Sequence, residues 1–169
     1  MKHFILSILI IISLQAKDKI YLLPKDGKQA EKNLVNLISH SHQKIKIAMF
    51  TFTNKKIYKA LKNAARRGID IQIIADKRNN SDQRHYSIVP QLQKLRNIKI
   101  HLLSGLKARG YRGIMHIKMM IIDDGVVAFG SANYTKSAFY KNYEILYIND
   151  DWTFTRRFVK IFKELWKIR

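Results

Sequence analysis

The chain is expected to fold as one α/β domain, built on a mixed, largely parallel sheet with helices on both faces. Three observations lead to that expectation. Residues 44–52, 69–75 and 114–122 are short runs of near-continuous apolar residues, the pattern of strands covered on both sides. Between the first two lies a stretch with apolar residues at helical spacing, and a strand–helix–strand unit makes its two strands parallel neighbours. With 169 residues and 47% hydrophobic composition, the chain has the size of a single domain and enough apolar surface for a real core.

In chain order, Met1–Ala16 reads as an export signal, or as an N-terminal membrane anchor if it is retained. Lys2 is a short basic start, Phe4–Leu14 an apolar stretch, and Ala16 a small residue at a cleavage site. The apolar stretch is too short to span a bilayer comfortably, which takes about 20 residues. Residues 17–169 then form the domain. Ile20–Pro24 is a short strand, and Lys28–Ser39 a helix with Ala30, Leu34, Leu37 and Ile38 on its buried stripe. Lys44–Phe52 is a strand. Asn54 suits the N-cap of the next helix, whose stripe is Ile57, Leu61, Ala64 and Ala65, and Gly68 closes it as a C′ residue. Ile69–Ala75 is the second parallel strand. Lys77–Arg84 reads as a polar, basic loop, Tyr86–Leu95 as a weak helix disturbed by Pro90, and Ile98–Leu103 as a strand. Ser104–Gly113 reads as a basic, glycine-rich loop. The strand 114–122 turns through Asp123-Asp124-Gly125 into Val126–Phe129. Asn142–Ile148 is the last strand. Asp151 caps a final helix with Phe154, Phe158, Ile161, Phe162 and Leu165 on its core face.

Charge narrows the partners. Lys and Arg number 32 against 12 Asp and Glu, a formal net charge of +20. Such an imbalance implies a polyanionic partner, either nucleic acid or an anionic membrane surface. Removing residues 1–16 removes a single lysine, so the basic character belongs to the domain. The absence of cysteine excludes disulfides, thiolate metal sites and cysteine nucleophiles. The few acidic residues form no carboxylate cluster and no His-x3-His pair occurs, so a metal site fits poorly and no cofactor is expected.

The chemistry is expected in 114–133. His116 and Lys118 stand two apart in an apolar run, and in a strand that spacing puts both on one face, aimed at one spot. A histidine able to attack or carry a proton, beside fixed positive charge, is a candidate phosphate site. His116-x-Lys118-x4-Asp123, followed by Gly130-Ser131-x-Asn133, resembles the HKD motif of the phospholipase D superfamily. Asn142-x-Glu144, Ile47–Thr53 and Ala64-Ala65-Arg66-Arg67-Gly68 agree with that family's pattern. The likeness covers about residues 20–150 and is to the small bacterial Nuc- and NucT-like endonucleases, exported or membrane-associated, which carry one HKD motif per chain. It implies that His116 attacks phosphorus and forms a phosphohistidine. Lys118, Ser131 and Asn133 would hold the non-bridging oxygens. Glu144 would orient a His116 ring, in its own chain or a partner. Asp123 completes the motif but ends the strand, and is expected to hold the hairpin turn or the lysine rather than touch phosphate.

That mechanism needs a second histidine as general acid. His3, His40, His42, His85 and His101 lack the motif, and His101 reads as a satisfied core residue. A symmetric homodimer is therefore expected, with two motifs facing across the two-fold axis; a monomer using His85 or His101 is the alternative. Lys77, Arg78, Arg84, Lys107, Arg109 and Arg112, with Tyr86 and Tyr111, suit a phosphate-lined groove with stacking rings, and the expected substrate is DNA, single-stranded and also duplex, or RNA. A phospholipase D-type hydrolase or transferase acting on phospholipid is the second reading. A non-catalytic DNA-binding or membrane-surface protein is the third. The leader and the likeness together imply a bacterial protein that is exported, in the periplasm or at a membrane.

Overall fold

A computed structural model describes residues 18–81 and 86–168; the leader at 1–16, Arg84 and His85 lie outside the described residues. The described strands are β1 (Asp18–Leu23), β2 (Lys44–Met49), β3 (Asp70–Asp76), β4 (Ile98–Ala108), β5 (Tyr111–Ile114), β6 (Lys118–Ile122), β7 (Val126–Gly130) and β8 (Glu144–Asn149). The helices are α1 (Gly27–Ser39), α2 (Lys55–Arg66), α3 (Lys77–Asn80), α4 (Val89–Gln93), α5 (Lys136–Tyr140) and α6 (Trp152–Lys167). The strands form one sheet in the order β1-β8-β7-β6-β2-β3-β4-β5.

The α/β class and the helices on both faces are as expected, but the sheet is not largely parallel. Only β2–β3 and β3–β4 pair in parallel; the other five ladders are antiparallel. The strand–helix–strand unit does what its sequence demands. The β4–β5 and β6–β7 connections are too short for a crossover, so those strands must run antiparallel, whereas β1–β8 and β2–β6 pair distant segments of the chain.

Alternation along the strands separates two cores. Ile45, Ile47, Met49, Ile71, Ile73, Met120 and Ile122 face α1, α2 and α5. Ala48, Ile74, Met119, Ile121 and Val127 face α6 through Val159 and Phe162. Strands buried on both faces explain why their sequences read as continuous apolar runs. Helix α2 is bounded as its sequence specifies. The Asn54 side chain accepts from the Lys56 and Ile57 amides. At the other end, Gly68 at φ +92° sends its N–H to Ala65 O, and Ile69 sends its N–H to Ala64 O, the paired bonds of a Schellman cap.

Several elements differ from their expected bounds. The basic stretch 104–113 is no loop: β4 runs on to Ala108 and turns at Arg109 and Gly110, both at positive φ, into β5, making a two-stranded ribbon. The expected strand 114–122 is broken at 115–117, and Lys44–Phe52 ends as a strand at Met49. Lys77–Asn80 is a short helix capped by Asp76. Pro90 starts α4 instead of disturbing it, sitting in the first turn where its missing N–H costs nothing. In α6 the buried face is Thr155, Val159 and Phe162, whereas Ile161 points outward. His101 is not satisfied among the described residues: its Nε2 is buried with no hydrogen-bond partner there, beside the Trp166 ring.

Asp123 and Asp124 both take positive φ in the β6–β7 turn, a conformation aspartate tolerates better than most residues. The Asp123 carboxylate accepts from three successive backbone amides, those of His42, Gln43 and Lys44, at 2.8–2.9 Å. It thereby ties the turn to the α1–β2 connection. Burial pushes its pKa up, but those amides outweigh it and hold the carboxyl below its ordinary 3.8. A depressed folded pKa means the unfolded chain takes up the proton first on acidification. The stability is therefore complete above the ordinary carboxylate range and is lost as pH falls toward the folded value. Asp123→Ala should destabilise the domain by about 2 kcal/mol at neutral pH, and the difference from wild type should shrink toward zero below that range in urea titrations. A pH-independent difference would show that the charge is not what matters.

Candidate active site

The functional candidates gather where β2 and β3 end and β6 and β8 begin. Lys118 opens β6 opposite Met49, Glu144 opens β8 opposite Leu23, and Ser131 follows the end of β7. His116 and Lys118 do meet, but not as neighbours on one strand face. His116 lies in the 115–117 break, where the Met115 amide bonds the buried Asp76 carboxylate at 3.0 Å instead of a strand partner. What unites the pair is Phe50. The His116 ring stands edge-on to the Phe50 ring with centroids 4.6 Å apart, and Lys118 Nζ lies 5.2 Å from the centroid of the same ring. Lys118 also donates to the His116 carbonyl at 2.7 Å, which leaves two of its three ammonium donors for another anion. His116 is exposed while Lys118 is only 8% exposed beneath it. Burial pushes the lysine pKa down, and the negative charge of Glu144 works against that shift without cancelling it.

Ser131 and Glu144 are locked together. Ser131 Oγ donates to a Glu144 oxygen in a short hydrogen bond and accepts from the Ile145 amide at 3.1 Å, while the Ser131 amide donates to Ile145 O. Gly130 makes this possible. A Cβ there would lie 2.1 Å from the Ile145 carbonyl oxygen, so any side chain would push β7 off β8 and carry Ser131 with it. The other Glu144 oxygen accepts from Asn142. No hydrogen bond joins Glu144 to His116 among the described residues. The half-buried Asn133 accepts from the Thr51 amide on its Oδ1 at 3.1 Å, which leaves its Nδ2, without a partner among the described residues, available as a donor.

Asp123 is not part of this cluster. It lies five residues beyond Lys118 at the far end of β6, about 16 Å away at strand rise, and it holds backbone, not the lysine. The basic candidates divide. Lys77 and Arg78 are exposed at the start of α3, directly after β3. Lys107, Arg109, Tyr111 and Arg112 are exposed on the β4–β5 ribbon, which prolongs β4 beyond the same end of the sheet. Lys107 and Arg112 are directly paired across that ribbon, a like-charge opposition that costs stability unless an anion relieves it. Tyr86 is exposed; Arg84 lies outside the described residues. Among the described residues no three His, Asp or Glu side chains gather as metal ligands would.

Sequence reasoning missed the frame behind the pair. Asn80 donates to the Phe50 and Asp76 carbonyls and accepts from Ser87, so Phe50 and Met115 are both held by buried polar groups. Asp76 at the end of an apolar strand was the available signal; Asn80 and Ser87 carried none, because only burial distinguishes them from loop residues.

This arrangement can be set beside known proteins. A family model described as "Cardiolipin synthase, PLD-like domain" matches residues 34–166. Among curated relatives, the mitochondrial cardiolipin hydrolase of Xenopus laevis is 28% identical over 147 residues, which are 86% of this chain and 64% of that protein. A probable cardiolipin synthase of Bacillus subtilis, YwiE, is 30% identical over 132 residues, 75% of this chain but 25% of the relative. The chain thus spans less than two thirds of these relatives. Among solved structures, NucT from Helicobacter pylori superposes with a TM-score of 0.87 at 37% identity, covering 90% of this chain and 97% of that one. Nuc from Salmonella typhimurium, a phospholipase D family member, shares the fold with a TM-score of 0.73 at 24% identity, covering 90% of this chain and 95% of that one. With His116, Lys118, Ser131, Asn133 and Glu144 gathered at one end of the sheet and the family model covering most of the domain, the chain belongs to the phospholipase D superfamily.

Proposed function

We propose that the chain is a metal-independent endonuclease, hydrolysing nucleic-acid phosphodiesters at a site built by two copies of the chain. The observation that carries this reading is the exposed His116 above the buried Lys118, with the Asn133 amide held by Thr51 at the same end of the sheet as a basic ribbon. In the reaction, a His116 nitrogen forms a bond to phosphorus and the bond to the leaving oxygen breaks. That oxygen takes its electron pair and a proton from His116 of the second copy. Water then gives its proton to that second histidine and attacks phosphorus, the P–N bond breaks, and His116 is restored. Lys118 and Asn133 stabilise the charge on the non-bridging oxygens, and Ser131 joins them when its bond to Glu144 yields. Glu144, engaged with Ser131 and not with its own histidine, is suited to orient the histidine of the other copy.

Two further features support a dimer. The chain carries one motif where the chemistry uses two histidines. Ile20, Leu22 and Ile145 are 70%, 50% and 53% exposed on the sheet face that α6 leaves uncovered, next to Glu144, and a second copy would bury them. DNA, single-stranded or duplex, is the favoured substrate, with RNA also admitted by the same backbone contacts. Lys77, Arg78 and the ribbon residues Lys107, Arg109 and Arg112 would track phosphates, and Tyr111 would stack on bases. The leader at 1–16 would deliver the protein to the periplasm or hold it at a membrane.

One observation favours the phospholipid reading. Leu106 and Tyr111 are 86% and 72% exposed on the ribbon, large side chains able to enter a lipid surface, and the curated relatives are named for cardiolipin.

One set of assays separates these readings. In excess EDTA the full chain should cut single-stranded DNA, and quenching in SDS at alkaline pH, where the P–N bond survives, should trap a labelled strand covalently on His116. His116→Ala should abolish both, and Lys118→Ala should lower kcat by roughly a hundred- to a thousandfold. Cleavage of cardiolipin vesicles but not of DNA would overturn the nuclease reading; loss of cleavage in EDTA would overturn the metal-free chemistry. Sedimentation should show a dimer, and a fully active monomer would remove the shared site. Replacing Lys107, Arg109 and Arg112 together by Ala should reduce the slope of log K against log salt by about 2 for single strands; an unchanged slope would take the ribbon out of the groove.

A further inference from the structure

We infer that a second nucleic-acid track leaves the site along the groove between α1 and α2, and that it holds the phosphates of a single strand extending beyond the cleaved bond. The inference rests on the nuclease reading for the identity of the strand. The groove is lined by Lys28 and Lys32 from α1 and by Lys56 and Lys59 from α2, over a floor of Val35 and Ala60. It continues past Glu31 and Lys56 into a second hollow edged by Lys55, Lys136 and Tyr140. That hollow reaches Thr53 and Asn54, two and three residues beyond Thr51, whose amide fixes Asn133. The two hollows share Glu31 and Lys56, so they form one channel from the edge of the site down the helical layer, with lysines on either side of the Glu31–Lys56 pair.

The one acid in this path does not oppose an anion. Glu31 is buried, and its carboxylate is taken up by Asn54, Lys56 and Tyr140. Burial pushes its pKa up, but those three partners outweigh it and hold the carboxyl below its ordinary range. Lys56 is thereby spent on Glu31. Lys28, Lys32, Lys55, Lys59 and Lys136 have no carboxylate partner among the described residues. Lys28 and Lys32 stand four apart on one helix, as do Lys55 and Lys59, a placement that costs each helix a few tenths of a kcal/mol through like-charge repulsion. Clustered lysines without acids, in a concave channel, suit a linear polyanion. A bilayer surface is flat and would meet protruding apolar residues, whereas Val35 and Ala60 lie at the bottom of the channel.

The test is binding by the full chain in a His116→Ala background, so that no strand is cut. Lys28→Gln, Lys32→Gln and Lys59→Gln together should weaken binding of a labelled single-stranded DNA of about thirty nucleotides by tenfold or more, and reduce its salt slope by about 2. A control carrying Lys160→Gln, Lys163→Gln and Lys167→Gln on α6 has the same net charge and should keep the parent slope. Equal loss in both variants would reduce the effect to net charge and overturn the track, as would an unchanged slope in the groove variant. Weakened binding to anionic vesicles with DNA binding intact would make the groove a membrane surface and equally overturn it. Failure of the chain with intact His116 to cut DNA would overturn the nuclease reading alone, because the binding result does not depend on cleavage.

Discussion

The position of His116 depends on a buried carboxylate that never touches it. Asp76 ends β3 and is 1% exposed, and its oxygens accept from the Met115 amide and from Asn79. A buried carboxylate is tolerable only when its lone pairs are filled, and backbone amides fill them with charge-assisted bonds. In doing so they take Met115 out of the sheet ladder and open the break in which His116 stands. Asn80 and Ser87 extend the same frame to the Phe50 carbonyl. The aromatic platform and the histidine segment are thus located by one network, and Phe50 then meets both His116 and Lys118.

Electrostatics divides this protein into two regions. Four acids, the buried Glu31 and Asp76 and the half-buried Asp123 and Asp124, are committed to architecture. Asp123 gathers the 42–44 amides, Asp124 pairs with Lys46 and Lys44, Asp76 holds Met115, and Glu31 is closed in by Asn54, Lys56 and Tyr140. With those four acids spent inward, the exposed Asp18, Asp70, Asp150 and Glu164 are far outnumbered by surface lysine and arginine. Self-repulsion from a net charge of +20 works against the compact state. The ribbon pair Lys107 and Arg112 and the lysines of the α1–α2 groove add to that cost. A polyanion bound across these surfaces would relieve it, so binding and stability become linked.

Much of the fold was legible in the residues. The parallel unit from β2 to β3, the Asn54 and Asp151 caps and the Gly68 terminus follow from side-chain chemistry within a few residues, and the structure reproduces them. The proportion of parallel pairing did not follow, because strand order is decided by which edges meet, and β6 enters beside β2 from a distant part of the chain. The 104–113 stretch looked like a loop because its glycines and charges resemble turn chemistry. Only its pairing with itself makes it a ribbon.

The sequence by itself determined which residues are candidates for the chemistry. His116, Lys118, Ser131, Asn133 and Glu144 are specified by type and spacing, and those are local properties. Tertiary structure decided how they stand to one another. It replaced the expected strand face with a break held by Asp76, paired Glu144 with Ser131 and not with His116, and moved Asp123 to the opposite end of β6. It also joined lysines from α1, α2 and α5 into one groove. The reason is physical: a hydrogen bond to a buried carboxylate or a shared concavity depends on which distant segments pack together, and no spacing along the chain records that.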